Sequence, residues 1–328
     1  MIKIYLVLLA LNFLIFIFLI PFLRKIKFKQ SVRIEGPKEH YKKSGTPTMG
    51  GIGIIIGLFI DFFILVGYYH YKNNYDFTIV RLKEILILIL PVFLYGLIGF
   101  IDDYLIVIKH DNKGLSVKLK FILQLVIAVI VYVLYLDLGF DNVINFFGVK
   151  IDVYFIYGIF IVFMFVGVTN ASNLTDGLDG LLASVSLICF IFLSISSLYL
   201  NNELIFLYCC SMVLVLIAYL FFNLPKASIF MGDVGSLAVG ASIVSVCIVL
   251  KIELLLLIIG FVYIIETFSV ILQVWFYKKT RGKRLFKMTP FHHHLELTGF
   301  NEWEINVIFW IIEIIMCIIG GVVLWNVW

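Results

Sequence analysis

Residues 85–103 read ILILILPVFLYGLIGFIDD, an apolar run without a single charge, closed by the pair Asp102 and Asp103. A helix needs roughly 20 apolar residues to cross the hydrocarbon core of a bilayer. The run therefore reads as a membrane span, and its two aspartates stand where the span should leave the hydrocarbon. Working outward, comparable runs occupy 3–23, 49–68, 121–138, 153–169, 180–200, 204–222, 235–250, 254–275 and 305–327. The whole chain agrees: of 328 residues, 62% are hydrophobic and only 14% charged, with a mean hydropathy of +1.10. A soluble domain carries about 25% charged residues. So large an apolar excess cannot be hidden in a soluble core. The composition predicts an all-α, polytopic integral membrane protein with ten transmembrane helices. No soluble insert fits between the spans, so residues 1–328 form a single transmembrane domain. The first run lacks a small-residue cleavage site and reads as a retained span, not a signal peptide.

Lysines and arginines fix the expected orientation, because cytoplasmic loops concentrate them. Loops 24–48, 102–120, 170–179, 223–234 and 276–304 share one side and hold 19 of the 25 basic residues. That side is expected to be cytoplasmic, with both termini outside. The net charge of +4 comes from these loops and is no argument for nucleic acid. The five cysteines all fall in apolar runs without CxxC spacing, which excludes a disulfide scaffold or a zinc site and leaves small core hydrophobes.

The same five loops hold nearly all the unusual sequence. The first contains Glu35-Gly36-Pro37, His40, Lys42, Lys43 and then Gly45-Thr46-Pro47-Thr48-Met49-Gly50-Gly51. A Gly-rich turn entering a helix can aim backbone N–H groups at a phosphate, although this one lacks the P-loop order; a loop whose glycines ease packing is the plainer alternative. The second holds Asp102 and Asp103, read as the end of the third span. Two acids there repel each other and oppose the helix dipole, so they call for Mg²⁺ or lysines. The third reads Asn170-Ala171-Ser172-Asn173-Leu174-Thr175-Asp176-Gly177-Leu178-Asp179-Gly180. Either aspartate could cap the next helix, but the whole polar set suits hydrogen bonding to a base or a sugar. The fourth, from Asn223 through Phe230 to Asp233, brings a third acid that could cap the eighth span or complete a Mg²⁺ site. The fifth holds Pro290-Phe291-His292-His293-His294, a spacing wrong for zinc and suited to phosphate binding, proton transfer or orientation of neighbours. Within the ninth span Glu266 should face the bundle interior as a helix–helix contact. Gln273, about two turns nearer the cytoplasmic side on the same face, is better placed to reach a site.

Taken in order, stretches 43–51, 102–103, 173–180, 223–235 and 290–294 resemble the motifs of the polyprenyl-phosphate N-acetylhexosamine-1-phosphate transferase superfamily, over essentially the whole chain. They are most similar to its branch acting on UDP-N-acetylmuramoyl-pentapeptide. The resemblance implies an enzyme of the bacterial cytoplasmic membrane. Undecaprenyl phosphate would attack the β-phosphate of that donor, giving lipid I and UMP with Mg²⁺ as cofactor; a homodimer is the implied assembly. It assigns Asp233 to the metal, with Asp102 and Asp103 on the metal or the acceptor phosphate, and His293 beside them as a catalytic group. Lys43, Thr48, Asn223, Gln273, His292 and His294 fall at substrate-contact positions. Asn173, Asp176, Gly177, Leu178 and Asp179, with Phe230, match the uridine pocket. One departure stands out: many relatives carry a lysine where this chain has Ile106, with Lys109 a turn on as a substitute and Lys118 as a weaker candidate for balancing phosphate charge. A sister enzyme using UDP-N-acetylglucosamine, and a secondary transporter with buried Glu266, are the alternative functions.

Overall fold

A computed structural model describes residues 2–26, 45–73, 78–109, 114–146 and 148–327. Ten of its helices are long and apolar enough to cross a membrane. They are α1 (Ile2–Lys25), α2 (Gly51–Asn73), α3 (Ile79–Lys109), α4 (Val117–Asp137), α5 (Ile156–Thr175), α6 (Leu181–Tyr199), α7 (Glu203–Asn223), α8 (Gly232–Leu250), α10 (Phe261–Lys279) and α12 (Glu302–Val327). Helices are what a bilayer permits, because each backbone N–H and C=O must find its partner within the chain. The ten expected spans are thus ten helices.

Helix α8 is the axis of the bundle. It is buried over 89% of its span, whereas α1 and α12 at the periphery reach 28%. Its sequence, GDVGSLAVGASIVSVCIVL, is built of small residues that let neighbouring backbones come close. A Cβ on Gly51 would lie 2.1 Å from the Gly235 nitrogen, and one on Gly99 would lie 2.1 Å from the Asp233 carbonyl oxygen. Helices α2 and α3 therefore touch α8 backbone to backbone at the end that carries Asp233. Lipid gives no hydrophobic drive for helices to associate, so this close packing supplies the contact energy.

Five local differences from the sequence reading matter. Helix α3 runs on to Lys109, so Asp102 and Asp103 lie within it and not at its end. Helix α5 continues to Thr175, which places Asn170 and Asn173 on a helix face. The stretch expected as the ninth span, 254–275, does not span throughout: a 3₁₀ turn (Glu253–Leu255) and a single turn α9 (Leu256–Ile259) precede Gly260, and the spanning helix is α10. Two elements outside the spans were not foreseen. A hairpin of β1 (Val143–Phe146) and β2 (Val149–Asp152) pairs antiparallel with Val143 opposite Asp152, and a short helix α11 (Phe291–Thr298) carries the three histidines.

The far end of α8 is fastened by a second polar cluster. Lys251 caps the helix in a left-handed conformation. Its Nζ reaches Asp141 Oδ1 at 2.6 Å and the Asp141 carbonyl at 2.7 Å, and it lies over the Tyr157 ring, 4.7 Å from the centroid. Tyr157 in turn donates to the buried Glu253. Burial pushes the Glu253 carboxyl up to about 7, partly offset by the Tyr157 hydrogen bond. A carboxyl raised in this way favours the folded state while it is protonated, and that contribution fades as pH climbs from its ordinary range toward 7. We expect Tm of the wild-type chain in detergent to fall, relative to Glu253→Gln, between pH 4.5 and 7, by the equivalent of roughly 3 kcal/mol; thermal shift curves for both proteins across that range would show parallel lines if the assignment were wrong.

Candidate active site

Three carboxylates from two helices meet at the near end of α8. One oxygen from each of Asp102, Asp103 and Asp233 lies within 4.8 Å of the others. The close approach of α3 at Gly99 makes this possible, since Asp102 and Asp103 sit about one turn further along the same helix. Asp103 and Asp102 are buried, and Asp233 is the more open of the three. Each acid is oriented by a different donor. Asp102 Oδ1 accepts from the Leu115 N–H at 2.7 Å, Asp103 Oδ2 accepts from the Val234 N–H at 3.2 Å, and Asp233 Oδ1 accepts from Asn173 Nδ2 at 2.7 Å. Asp233 lies in the first turn of α8, where negative charge is favoured, but its side chain does not cap that helix.

The cation that such a cluster demands is Lys120, which the sequence reading passed over. Its ammonium contacts Asp233 Oδ2 and lies 3.7 Å from Asp102 Oδ2. Lys118, the weaker of the two lysines expected to balance charge, is exposed, and the side chain of Lys109, the expected substitute, lies outside the described residues. The reason is helical phase: α4 already begins at Val117, so residues two apart point roughly 200° from one another. One turn deeper, Asn170 Nδ2 donates to Gln124 Oε1 at 2.7 Å and ties α4 to α5. The side chains of Lys120 and Gln124 on α4, and of Asn170 and Asn173 on α5, thus form one polar seam leading to Asp233. Three hard oxygen donors within 4.8 Å of one another suit a divalent cation of the kind that takes carboxylates and phosphates together.

Beside the carboxylates lies the turn 176–180. Enclosure, and then the negative charge of Asp233, Asp103 and Asp179, hold the Asp176 carboxyl well above the usual carboxylate range. Gly177 is half-buried and Leu178 buried. Helix α6 starts at Gly180 without a side-chain cap, so neither Asp176 nor Asp179 plays the capping part. Asp179 Oδ2 instead accepts from the Lys226 and Ala227 N–H groups at 3.2 and 3.0 Å. Asn223 bridges the same two loops, accepting from the Gly180 N–H at 3.1 Å and donating to the Ile229 carbonyl at 2.9 Å. Asn306 of α12, not singled out in the sequence, donates to the Asp179 carbonyl at 2.9 Å. A lone Asn in an apolar helix is a signal that polar packing was needed there.

The Gly-rich entry to α2 closes the other flank. Phe230 N–H donates to the Pro47 carbonyl and Gly50 N–H to the Phe230 carbonyl, both at 2.8 Å, which seats buried Thr48 and half-buried Phe230 alongside Asp103 and Gly232. Lys43, with His40 and Lys42, lies outside the described residues. The three histidines face three ways: His292 Nδ1 is 3.0 Å from Glu266 Oε2, His293 Nδ1 is 2.6 Å from Glu296 Oε2, and His294 Nδ1 accepts from the Lys287 N–H at 3.2 Å. Gln273 accepts from the Leu285 and Phe286 N–H groups at 2.9 Å and donates to the Phe286 carbonyl at 3.0 Å, so its amide holds the loop between α10 and α11. Asp102 and Asp103 within α3, Asp233 in the first turn of α8 and the segments 45–50, 176–180 and 226–230 are thus brought together, and His292 of α11 meets the turn at Gly177.

The glycosyl transferase family 4 model matches residues 85–251, the part of the chain that holds the carboxylate cluster and the Asn- and Asp-rich turn, and so gives the class of this ten-helix bundle. Relatives narrow this further. The chain is 46% identical to a phospho-N-acetylmuramoyl-pentapeptide-transferase of Staphylococcus carnosus, with 92% of each chain covered. It is 45% identical to that of Bacillus cytotoxicus, over 92% of this chain and 90% of the relative, and 44% identical to that of Staphylococcus epidermidis over 95% of both. The chain belongs to the phospho-N-acetylmuramoyl-pentapeptide-transferase family.

Replacing Lys120 by Met would leave the three acids without their fixed cation and open the cluster to an external one. Turnover should fall about 100-fold, as when a charge-stabilising donor is removed from an active site. Tm of the variant should also rise more than that of the wild type when a divalent cation is added; equal shifts would show that Lys120 and the cation do not share the site.

Proposed function

We propose that the chain transfers phospho-N-acetylmuramoyl-pentapeptide from its UDP-linked donor to undecaprenyl phosphate, giving lipid I and UMP, at the cluster of Asp102, Asp103 and Asp233. The observation that carries this reading is that the end of α5 leading into the turn 176–180 is tied to that cluster: Asn173, three residues before the turn, is hydrogen-bonded to Asp233 itself. Phosphoryl transfer depends on charge neutralisation and in-line placement more than on covalent chemistry. An anionic acceptor from the bilayer and an anionic donor from the cytoplasm must be brought together, and on this reading the cluster lies at the cytoplasmic end of the bundle where the two would meet.

In this reading an oxygen of the lipid phosphate forms a bond to the β-phosphorus of the donor. The bond from that phosphorus to the bridging oxygen breaks, and UMP leaves with the electron pair. Asp102 orients or deprotonates the acceptor phosphate, and Lys120 offsets charge between Asp102 and Asp233. Asp233, with Asp102 and Asp103 around it, would hold Mg²⁺, which when bound neutralises phosphate charge. Asn173, Asp176, Gly177, Leu178 and Phe230 take the uridine, together with Thr48 and Lys43 toward the phosphates. Asp179, Asn223 and Gln273 serve the donor through the loops they hold, and His293 and His294 line the same side from α11. The site faces the cytoplasm with both termini outside, as the basic residues on its side argue, and the whole chain is one catalytic domain in the bacterial cytoplasmic membrane.

UMP release from the UDP-linked muramoyl-pentapeptide should depend on added undecaprenyl phosphate, and UDP-N-acetylglucosamine should not replace the donor; release without lipid would sink the reading. Asp233→Asn should lose most activity, on the order of 100-fold or more, while keeping the wild-type Tm; near-normal turnover at saturating Mg²⁺ would remove Asp233 from the metal site. With a donor chiral at the β-phosphorus, inversion supports direct attack and retention supports a phosphorylated aspartate.

A further inference from the structure

Glu266 takes no part in the chemistry above, yet it is wholly buried in α10 and spends both oxygens on a single residue. Oε1 accepts the main-chain N–H of His292 at 3.2 Å, and Oε2 lies 3.0 Å from His292 Nδ1. For the second contact to be a hydrogen bond, a proton must lie between Oε2 and Nδ1, and the two contacts together fix the ring's orientation. His292 is itself fully buried at the start of α11. Its other ring nitrogen, Nε2, is buried and has no hydrogen-bond partner among the described residues. That nitrogen is aimed at one point of the turn. A Cβ built on Gly177 would lie 2.1 Å from Nε2 and 2.6 Å from Cε1 of His292, and all three of its nearest atoms belong to that imidazole.

The ring therefore stands directly behind Gly177, and only a residue without a side chain leaves room for it. The far end of the same turn is pinned separately. Asn223 receives the Gly180 N–H and Asn306 donates to the Asp179 carbonyl. Gly177, between Asp176 and Leu178, is held by the imidazole alone among these anchors.

We infer that Glu266 is a positioning residue for the nucleotide half of the donor site: acting through His292, it sets where Gly177 and its neighbours stand. The inference rests on the reading that turn 176–180 receives the uridine. A residue that shapes the donor pocket without touching reacting atoms changes donor affinity more than the chemical step. A residue that merely holds α10 to α11 would lower the active fraction, and with it kcat, while leaving KM unmoved.

The test uses the full chain in lipid–detergent micelles, with UMP release followed while either the UDP-linked donor or undecaprenyl phosphate is varied. Glu266→Gln should raise donor KM about tenfold, in the range typical of lost orienting partners, with kcat within about threefold of wild type and the lipid KM unchanged. Gly177→Ala should raise donor KM at least as much. Adding Glu266→Gln to it should then cost little more, because both act on one displacement. As a check that needs no Glu266 variant to fold, His292→Ser placed on Gly177→Ala should recover part of the donor KM by making room for the new methyl group. An unmoved donor KM in Glu266→Gln, additive effects in the double variant, or no recovery in the size swap would each overturn the inference. Wild-type protein that shows no lipid-dependent UMP release would instead overturn the reading on which it rests.

Discussion

Three carboxylates crowded at the end of a membrane bundle repel one another, and the fold around them is organised to bear that repulsion. Lys120 is the fixed part of the answer, reaching from α4 to contact Asp233 while lying near Asp102. The rest comes from oriented dipoles: Leu115 N–H for Asp102, Val234 N–H for Asp103 and the Asn173 amide for Asp233. Hydrogen bonds to ionised groups are among the stronger ones a protein makes. Here each also joins a different element to the site, so the electrostatic demand of the cluster and the packing of α3, α4, α5 and α8 are the same constraint.

Packing in turn sets how small the cluster can be. Helix α8 is approached by bare backbone at Gly51 and Gly99, and a side chain at either place would collide with its main chain. Stability and chemistry diverge along this one helix. Its near end gathers acids that are costly to hold, and its far end is fastened by the network of Lys251, Asp141, Tyr157 and Glu253. Buried carboxylates within helices, such as Glu266, are expensive in hydrocarbon and persist where a partner takes up their charge or proton; Glu266 has that partner in His292.

Around the cluster the loops brace one another. Asp179 and Asn223 join the turn 176–180 to the segment before α8, Gln273 closes the loop after α10, and the segment before α2 pairs with Phe230. Several of the polar residues expected at the site thus make their own hydrogen bonds within the chain and fix backbone position, which the residue type alone does not disclose.

The ten helices and the acid cluster were legible in the amino-acid order, because apolar runs of bilayer length admit no other regular structure and because unusual polar residues crowd five loops. The resemblance of those loops to family motifs named the same acids that the structure gathers within 4.8 Å. What the order of residues left open was phase and partnership. Lys120 rather than Lys118 meets the acids because α4 begins at Val117, and Asp102 and Asp103 lie inside α3 because that helix continues to Lys109. The link from Glu266 through His292 to Gly177 joins residues far apart in sequence. Such a contact depends on how α10, α11 and the turn pack in three dimensions, and no local periodicity records it.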